Sequence, residues 1–276
     1  SNYDTTAIGT GAAASGRYST AIGINAQASN TSANALGYGA QASGTWSNAL
    51  GTDAVASNTL ATAVGQQATA SGKYATALGA TAQATGYNST AVGKGANAAG
   101  TYSTAVGKYA SASGPASTAI GKYATAGNGG ATAIGYGAKA FGYISTALGT
   151  DAYAAGDHSI AEGFRANTGS YATNATAIGY FANAQGYSSA AIGSNATALG
   201  DSSVAIGNTS LAGGEYSTAV GPFAAATGYS ATAIGDTANA IGDYSTAVGK
   251  NAYAGGAQSV ATGFGAQALG VSSIAT

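Results

Sequence analysis

The hexapeptide YSTAIG, residues Tyr18–Gly23, decides the fold because near copies of it recur along the chain. YATALG begins at Tyr74, and YSTAVG begins at Tyr102, Tyr216 and Tyr244. Every copy ends in an Ala-x-Gly triplet, and the spacing between these triplets is more informative than the composition of any one of them.

An Ala-x-Gly triplet ends at 19 glycines, from Gly9 to Gly263, and successive glycines are 14 residues apart except for one step of 16. The long step runs from Gly163 to Gly179. A strict short period is typical of a solenoid, in which each coil buries itself only against its neighbours. We therefore predict an all-β solenoid of about 20 fourteen-residue coils, with residues 1–276 as a single domain.

A coiled coil is the other structure that a 14-residue period could indicate. Gly or Asn interrupts the chain every seven residues, as at Gly16, Gly23 and Asn30. Each Gly costs a helix about 1 kcal/mol relative to Ala, which favours short strands joined by tight turns. Asn replaces Gly at Asn30, Asn58 and Asn128, and Asn tolerates left-handed backbone best after Gly. We therefore predict a positive φ at these interrupting positions.

Alternation along each strand separates small residues from large ones. In the coil that contains YSTAIG, Ser19 and Ala21 share one face of the strand, and Thr20 and Ile22 share the other. Two strands only seven residues apart leave little room for Ile between them, so we predict that the small residues point inward. The alternative is an inward Thr/Ile face with Ala on the outside.

An inward small face leaves a stripe of large residues outside. The position of Ile22 is aliphatic in 17 of the 19 triplets, the exceptions being Glu162 and Thr262. Such a stripe exceeds the apolar patch that a monomer usually exposes, so self-association around a common axis is expected. Three chains suit a single stripe, although two flat faces could also pair as a dimer. The predicted interface residues are Ile22, Val64, Val106, Ile120, Ile134, Ile178, Ile192, Ile206 and Ile234.

Composition excludes several classes of protein. The chain has no Cys, which excludes disulfides and thiol chemistry, and its net charge of −1 argues against nucleic-acid binding. It contains no run of 18 apolar residues that could span a membrane. It also has no signal peptide and no Met, so we expect a piece of a longer mature protein.

Residues suited to catalysis are few. The single His, His158, lies near Asp151, Asp157 and Glu162 in the only local cluster of acidic residues. Acid–base catalysis needs groups that converge on one substrate, and motif-free clusters are usually structural. We therefore predict a solvated turn here, with no enzymatic activity, no cofactor and no metal site.

A ridge of cations and aromatics is the best candidate for binding. Lys94, Lys108 and Lys122 occupy the same place in three successive coils, and Tyr109 and Tyr123 follow the last two. Exposed aromatics beside cations are enriched at recognition surfaces, although a solvated edge is the alternative. The candidate ligand-binding residues are Tyr102, Lys108, Tyr109, Lys122 and Tyr123.

The one long step, FRANTGSYATNATAIG, follows directly after Glu162 takes the aliphatic position. In a trimer, three Glu162 carboxylates would face one another, and like charges this close demand a cation. Arg165 could supply that cation, so we predict that the longer coil bulges outward and that Glu162 and Arg165 pair to set the register of the chains. The alternative is a solvated defect.

The stretches STAIGKYATAGNGGATAIG and SSVAIGNTSLAGG resemble the head repeat of trimeric autotransporter adhesins, the YadA-like head. The resemblance covers nearly the whole chain. It implies a left-handed parallel β-roll assembled as a homotrimer, carried on a coiled-coil stalk with a barrel anchored in the outer membrane of a Gram-negative bacterium. It also implies adhesion to host matrix proteins, cells, sister cells or inert surfaces.

Two other functions fit the pattern. Thr occupies the position of Thr20 in 13 of 19 coils, and a flat Thr/Ile face resembles the ladders of ice-binding β-solenoids. A purely structural spacer in a surface or phage fibre is the other. The oligomeric state distinguishes ice binding from adhesion by a trimer, because ice binding requires an open Thr/Ile face, which a monomer exposes and a trimer would bury.

Overall fold

The structure is a computed structural model that describes residues 4–276, and the regular structure in this range consists of β-strands. The chain divides into two compact units, Ser1–Gly137 and Ala138–Thr276. Both units have the same design, in which three-residue and two-residue strands alternate. That residues 1–276 form a single domain stays a prediction. In the described range, no helix is long and apolar enough to cross a membrane.

In residues 4–137 the first unit has ten long strands and nine short ones. Its long strands are Thr6–Ile8, Thr20–Ile22, Asn34–Leu36, Asn48–Leu50, Thr62–Val64, Thr76–Leu78, Thr90–Val92, Thr104–Val106, Thr118–Ile120 and Thr132–Ile134. Its short strands are Ala13–Ala14, Gln27–Ala28, Gln41–Ala42, Val55–Ala56, Thr69–Ala70, Gln83–Ala84, Asn97–Ala98, Ser111–Ala112 and Thr125–Ala126.

The second unit continues the alternation. Its long strands are Thr146–Leu148, Ile160–Glu162, Thr176–Ile178, Ala190–Ile192, Val204–Ile206, Thr218–Val220, Thr232–Ile234, Thr246–Val248, Val260–Thr262 and the shortened Ile274–Ala275. Its short strands are Lys139–Ala140, Tyr153–Ala154, Asn167–Thr168, Asn183–Ala184, Thr197–Ala198, Leu211–Ala212, Ala225–Ala226, Asn239–Ala240, Tyr253–Ala254 and Gln267–Ala268.

Each strand pairs in parallel with the equivalent strands of the neighbouring coils. Ala21 lies opposite Ala35, 14 residues on, and the same register recurs in the other pairs described within each unit, apart from the one longer coil. Backbone hydrogen bonds join neighbouring coils: Thr20 N donates to Ala33 O at 2.9 Å, and Gly37 N donates to Ile22 O at 2.8 Å. Each unit thus has a long-strand sheet and a short-strand sheet, which confirms the predicted parallel β-solenoid.

The core between the two sheets consists of small side chains. Ala21 and Ala28 are fully buried, Ser19 is 1% exposed, and Ile22 lies outside. The prediction that the small residues point inward is therefore confirmed, and the inward Thr/Ile face is excluded. The largest fully buried side chain is Thr168, and the other fully buried side chains are Ala and Ser, so the two sheets approach each other closely.

Two kinds of turn join the strands. The triplet turn begins at the Gly of an Ala-x-Gly triplet, as in Gly23–Ala26, and is closed by Ala26 N to Gly23 O at 3.2 Å. The half-way turn lies at the other edge of the coil, as in Gly16–Ser19, closed by Ser19 N to Gly16 O at 3.2 Å. The third residue has a positive φ in all 38 of these turns in the described range, and in 32 of them it is not glycine.

The prediction of positive φ is confirmed at the triplet turns and is wrong at the half-way turns. Gly23 and the other triplet glycines have positive φ, near 130°, as expected. The prediction is wrong at Gly16, Asn30, Asn58 and Asn128, because the left-handed residue of a half-way turn lies two positions later.

The half-way Gly serves close packing instead. A Cβ on Gly16 would collide with the carbonyl oxygen of Asn30 in the next coil. At Asn30 and Asn58, the Asn side chain makes hydrogen bonds in both directions. Asn30 Oδ1 accepts from Thr31 N at 2.9 Å, and its Nδ2 donates to Ser43 O at 3.3 Å.

The coil with two extra residues keeps its strands paired, since Glu162 lies opposite Ile178. The extra residues add a tight turn, closed by Ala172 N to Gly169 O at 3.1 Å, before the half-way turn. At its tip Tyr171 is 93% exposed, which agrees with the predicted outward bulge.

The left-handed turn residues generate a prediction about stability. Ile144 has φ 51°, where a β-branched side chain is disfavoured and Asn is tolerated. Ile144→Asn should raise the free energy of unfolding by about 1 kcal/mol, measured by denaturant titration. Ile24→Asn is the matched control, because Ile24 is as exposed as Ile144 but lacks a positive φ. Equal effects of the two substitutions would contradict this account.

Candidate functional site

The aliphatic stripe lies on the outer face of the long-strand sheet in each unit. Ile120 and Ile134 lie opposite each other in adjacent strands, and they are 39% and 36% exposed. The other seven residues predicted at the interface are also exposed or half-buried. The stripe is thus solvent-accessible in a single chain, as an assembly surface requires. Its burial by partner chains stays a prediction.

The Lys–Tyr patch is formed by Lys108, Tyr109, Lys122 and Tyr123 at two successive triplet turns. The rings of Tyr109 and Tyr123 stack with centroids 5.6 Å apart and planes 10° apart. Lys108 Nζ lies 5.3 Å from the centroid of Tyr109, and Lys122 Nζ lies 5.0 Å from that of Tyr123. The patch thus presents two cations above two exposed rings, an arrangement suited to anionic or aromatic ligands.

The stacking is possible because Gly95 precedes Tyr109 by one coil. A Cβ on Gly95 would lie 2.5 Å from Tyr109 Cδ1, so the ring leans into the space that the glycine leaves open. Sequence reasoning did not find the next member of the row, Tyr136, which meets Tyr123 edge-on at 6.0 Å and lies 5.5 Å from Lys122 Nζ. The repeat pattern does not align Tyr136 with Tyr109 and Tyr123, because Tyr136 is the second residue of its turn rather than the third.

Tyr102 does not belong to this patch. It lies in a half-way turn, at the other edge of the coil, where it meets Tyr87 edge-on with centroids 5.4 Å apart. Tyr87 in turn meets Tyr74 at 5.6 Å, and Lys73 Nζ lies 4.9 Å from the Tyr74 centroid. The structure therefore divides the five predicted binding residues between two edges, because the turns alternate every seven residues.

A second tyrosine row that sequence reasoning missed lies at the half-way turns of the second unit. Tyr229 is flanked edge-on by Tyr216 at 5.6 Å and Tyr244 at 5.4 Å. Desolvation raises the pKa of Tyr229, and the neighbouring Tyr244, Tyr216 and Glu215 raise it further. The repeated YSTAVG copies that begin at Tyr216 and Tyr244 were its signal in the sequence.

The acidic cluster does not converge on one point. Asp157 Oδ1 accepts a hydrogen bond from Tyr143 N at 2.7 Å, and the ring of His158 meets that of Tyr143 edge-on. Asp151 lies at a triplet turn, at the other edge of the coil, and Glu162 lies in a long strand. Within residues 4–276 no group of three or more His, Cys, Asp or Glu residues could hold a metal ion.

Arg165 contacts Asp151 rather than Glu162 within the chain. Its Nε lies 3.8 Å from Asp151 Oδ2, and its guanidinium lies 5.2 Å from the Phe164 ring centroid and 5.6 Å from that of Phe181. Lys250 and Asp236, at 3.0 Å, form the other ion pair in the described range. Lys250 donates a hydrogen bond to Asp236 and thereby lowers the pKa of its carboxyl. A Glu162–Arg165 pair between chains stays a prediction.

Comparison with protein families agrees with this geometry. The model of the YadA head domain repeat, in two copies, matches residues 1–26, 14–40, 56–82, 84–110, 112–138, 145–166, 170–196, 198–224, 226–252 and 254–276. The chain belongs to the YadA head repeat family. The matched residues lie in both units.

Among solved structures, the YadA head repeats of this chain are similar to a crystal structure of the collagen-binding domain of the Yersinia adhesin YadA. The two are 21% identical over 75% of this chain and 82% of that chain, with a TM-score of 0.22. A comparison with curated proteins finds no match.

The raised pKa of Tyr229 can be measured directly. With ring-labelled tyrosine, the NMR signal that disappears in Tyr229→Phe should titrate above the ordinary tyrosine pKa. The double substitution Tyr216→Phe and Tyr244→Phe should lower that pKa, because it removes two neighbouring phenolates. Titration of Tyr229 at the ordinary value in the unsubstituted chain would show that the tyrosine row is not packed as described.

Proposed function

We propose that this chain is the head of a surface adhesin, displayed on the outer membrane of a Gram-negative bacterium. It attaches by many weak, non-catalytic contacts to host matrix proteins, cells or inert surfaces, and to sister cells in autoagglutination. The observation that carries the proposal is the repetition of exposed Lys and Tyr side chains at equal places in successive coils, with Tyr109 stacked on Tyr123. Repeated weak contacts sum to firm attachment when one molecule presents many of them.

Assembly is the second part of the proposal. Three chains meet along the stripe that contains Ile120 and Ile134, which covers an apolar face too long for a lone chain to leave open. The homotrimer presents the Lys–Tyr patch three times, once on each chain. At one level of the stripe, Glu162 replaces the aliphatic residue, and Arg165 of a neighbouring chain offsets the charge.

A second candidate function rests on the same face. Thr118 and Thr132 lie opposite each other, as do Ile120 and Ile134, so that two parallel ladders run along the long-strand sheet. A monomer would expose these ladders, as an ice-binding solenoid does. Oligomeric state therefore separates the two functions before any ligand is known.

The test measures attachment of the purified chain to polystyrene, bare or coated with matrix proteins or glycans. The patch variant replaces Lys108, Tyr109, Lys122 and Tyr123 with Ser, and Tyr102→Ser is its control at the other edge. The assembly variant carries Ile120→Asp and Ile134→Asp, which would bury unpaired charges in the trimer. Attachment should fall at least tenfold in the patch variant, and by about 10²–10⁴ in the assembly variant through lost multivalency.

Light scattering on the same samples gives the oligomeric state, expected at three times the mass of the chain. A stable monomer of the parent chain would contradict the adhesin and favour the ice-binding solenoid. Parent-level attachment by the patch variant and by Tyr102→Ser would leave only a spacer function for these coils.

A further inference from the structure

A trough runs along the outer face of the short-strand sheet in the second unit. One wall is formed by the third residues of four successive triplet turns: Phe181, Asn195, Thr209 and Phe223. Asn195 and Thr209 are smaller than the two phenylalanines that bracket them, which creates a depression between the two rings. This position lies on the opposite sheet from the aliphatic stripe.

The trough consists of two adjoining depressions of about 340 Å³ and 380 Å³. Both are lined by Asn195 and Thr197, so they form one continuous surface. Arg165 and Asn167 line one end, one coil before Phe181 and Asn183, and Phe223 lines the other. Three steps of about 4.8 Å between coils place the two phenylalanines about 14 Å apart along the coil axis.

Hydrogen-bonding groups on the trough are only partly used within the chain. Asn183 Oδ1 accepts from Asn167 Nδ2 at 3.1 Å and from Gln185 Nε2, while no hydrogen bond within residues 4–276 uses Asn183 Nδ2. Asn195 Nδ2 donates to Ser194 Oγ at 3.2 Å, and Asn195 Oδ1 has no partner in the described range. A donor and an acceptor are therefore available to a ligand one coil apart.

The charge and backbone of the trough limit the class of ligand. Arg165 is the one charged residue that lines it, and Arg165 already contacts Asp151 and two aromatic rings. The backbone offers no free edge for a peptide strand, since Asn183 N donates to Ala196 O and Thr197 N to Ser210 O. A neutral ligand with many hydroxyl groups and a flat apolar face remains, and sugar rings have both properties.

We propose that the trough binds a neutral, extended oligosaccharide laid along the coil axis. Phe181 and Phe223 contact the apolar faces of the terminal rings, and the side chains of Asn183, Asn195 and Thr209 bond the hydroxyls between them. The trough holds about four sugar rings, one at each of these four coils, because three coil steps of about 4.8 Å separate the terminal rings. The inference rests on the proposed attachment function, to which it adds a class of ligand and a site apart from the Lys–Tyr patch.

The experiment titrates the full chain with three tetrasaccharides, by calorimetry and by saturation-transfer NMR. The probes are the β-1,4-linked tetramers of glucose and of N-acetylglucosamine, which are extended, and the α-1,4-linked tetramer of glucose, which curves. At least one β-linked probe should bind saturably and at least tenfold more tightly than the α-linked probe, because a straight trough excludes a curved chain. Absence of binding by both β-linked probes at millimolar concentration would overturn the inference.

Three variants locate the binding. The double variant Phe181→Ala, Phe223→Ala should weaken binding of the β-linked probe at least tenfold. Asn195→Ala should weaken this binding several-fold, and Asn195→Gln should restore part of the loss. Phe264→Ala is the control, because Phe264 is an exposed phenylalanine outside the trough. Circular dichroism checks that each variant keeps the parent fold. Unchanged affinity in the folded double variant would place the sugar elsewhere and overturn the inference.

The outcomes also separate this inference from the attachment function. If the parent chain attaches to matrix proteins but binds no tetrasaccharide, the attachment function is supported and the sugar-binding inference is rejected. Specific tetrasaccharide binding by a chain that attaches to no coated surface would do the reverse.

Discussion

The close approach of the two sheets is the constraint on which the rest of the structure depends. Sheets that pack through larger side chains lie about 10 Å apart. Within residues 4–276 the fully buried side chains are Ala, Ser and a single Thr, so the two sheets lie closer together. Little apolar area is buried per residue, and stability comes instead from regular stacking, in which each coil completes the hydrogen bonds of its neighbours.

The same constraint explains the turns and the surface. A coil of 14 residues must reverse direction twice within a few residues, which sets a left-handed residue at the third position of each triplet turn and each half-way turn. With the interior closed to large side chains, the bulky residues lie outside, including Tyr109 at a triplet turn and Tyr102 at a half-way turn. The outward residues of each coil recur at the same place in the next, so any favourable contact becomes a row. Rows of equivalent surface side chains follow from this geometry.

Periodicity predicted the sheets, the register and the small inward face, because these depend only on spacing and side-chain size. It failed at Asn30, since the preference of Asn for left-handed backbone says nothing about hydrogen bonds to the next coil. It also grouped Tyr102 with Tyr109, which lie on opposite edges. Thr168 was not foreseen in the core, where its hydroxyl donates to Ser159 Oγ at 2.9 Å and accepts from Ala155 N at 3.3 Å. Contacts between coils decide such details, and the alternation of residue types does not encode them.

The thin core is tested most directly by enlarging one buried alanine. Ala119 is fully buried, and Thr118 beside it points outward. Denaturant unfolding of Ala119→Val should give a free energy of unfolding lower than that of the parent by about 1–3 kcal/mol, since two methyl groups have no space. Thr118→Val, of the same final size on the outer face, should change it by less than about 0.5 kcal/mol. An Ala119→Val chain as stable as the parent would contradict the account, because the sheets would then have room for larger side chains.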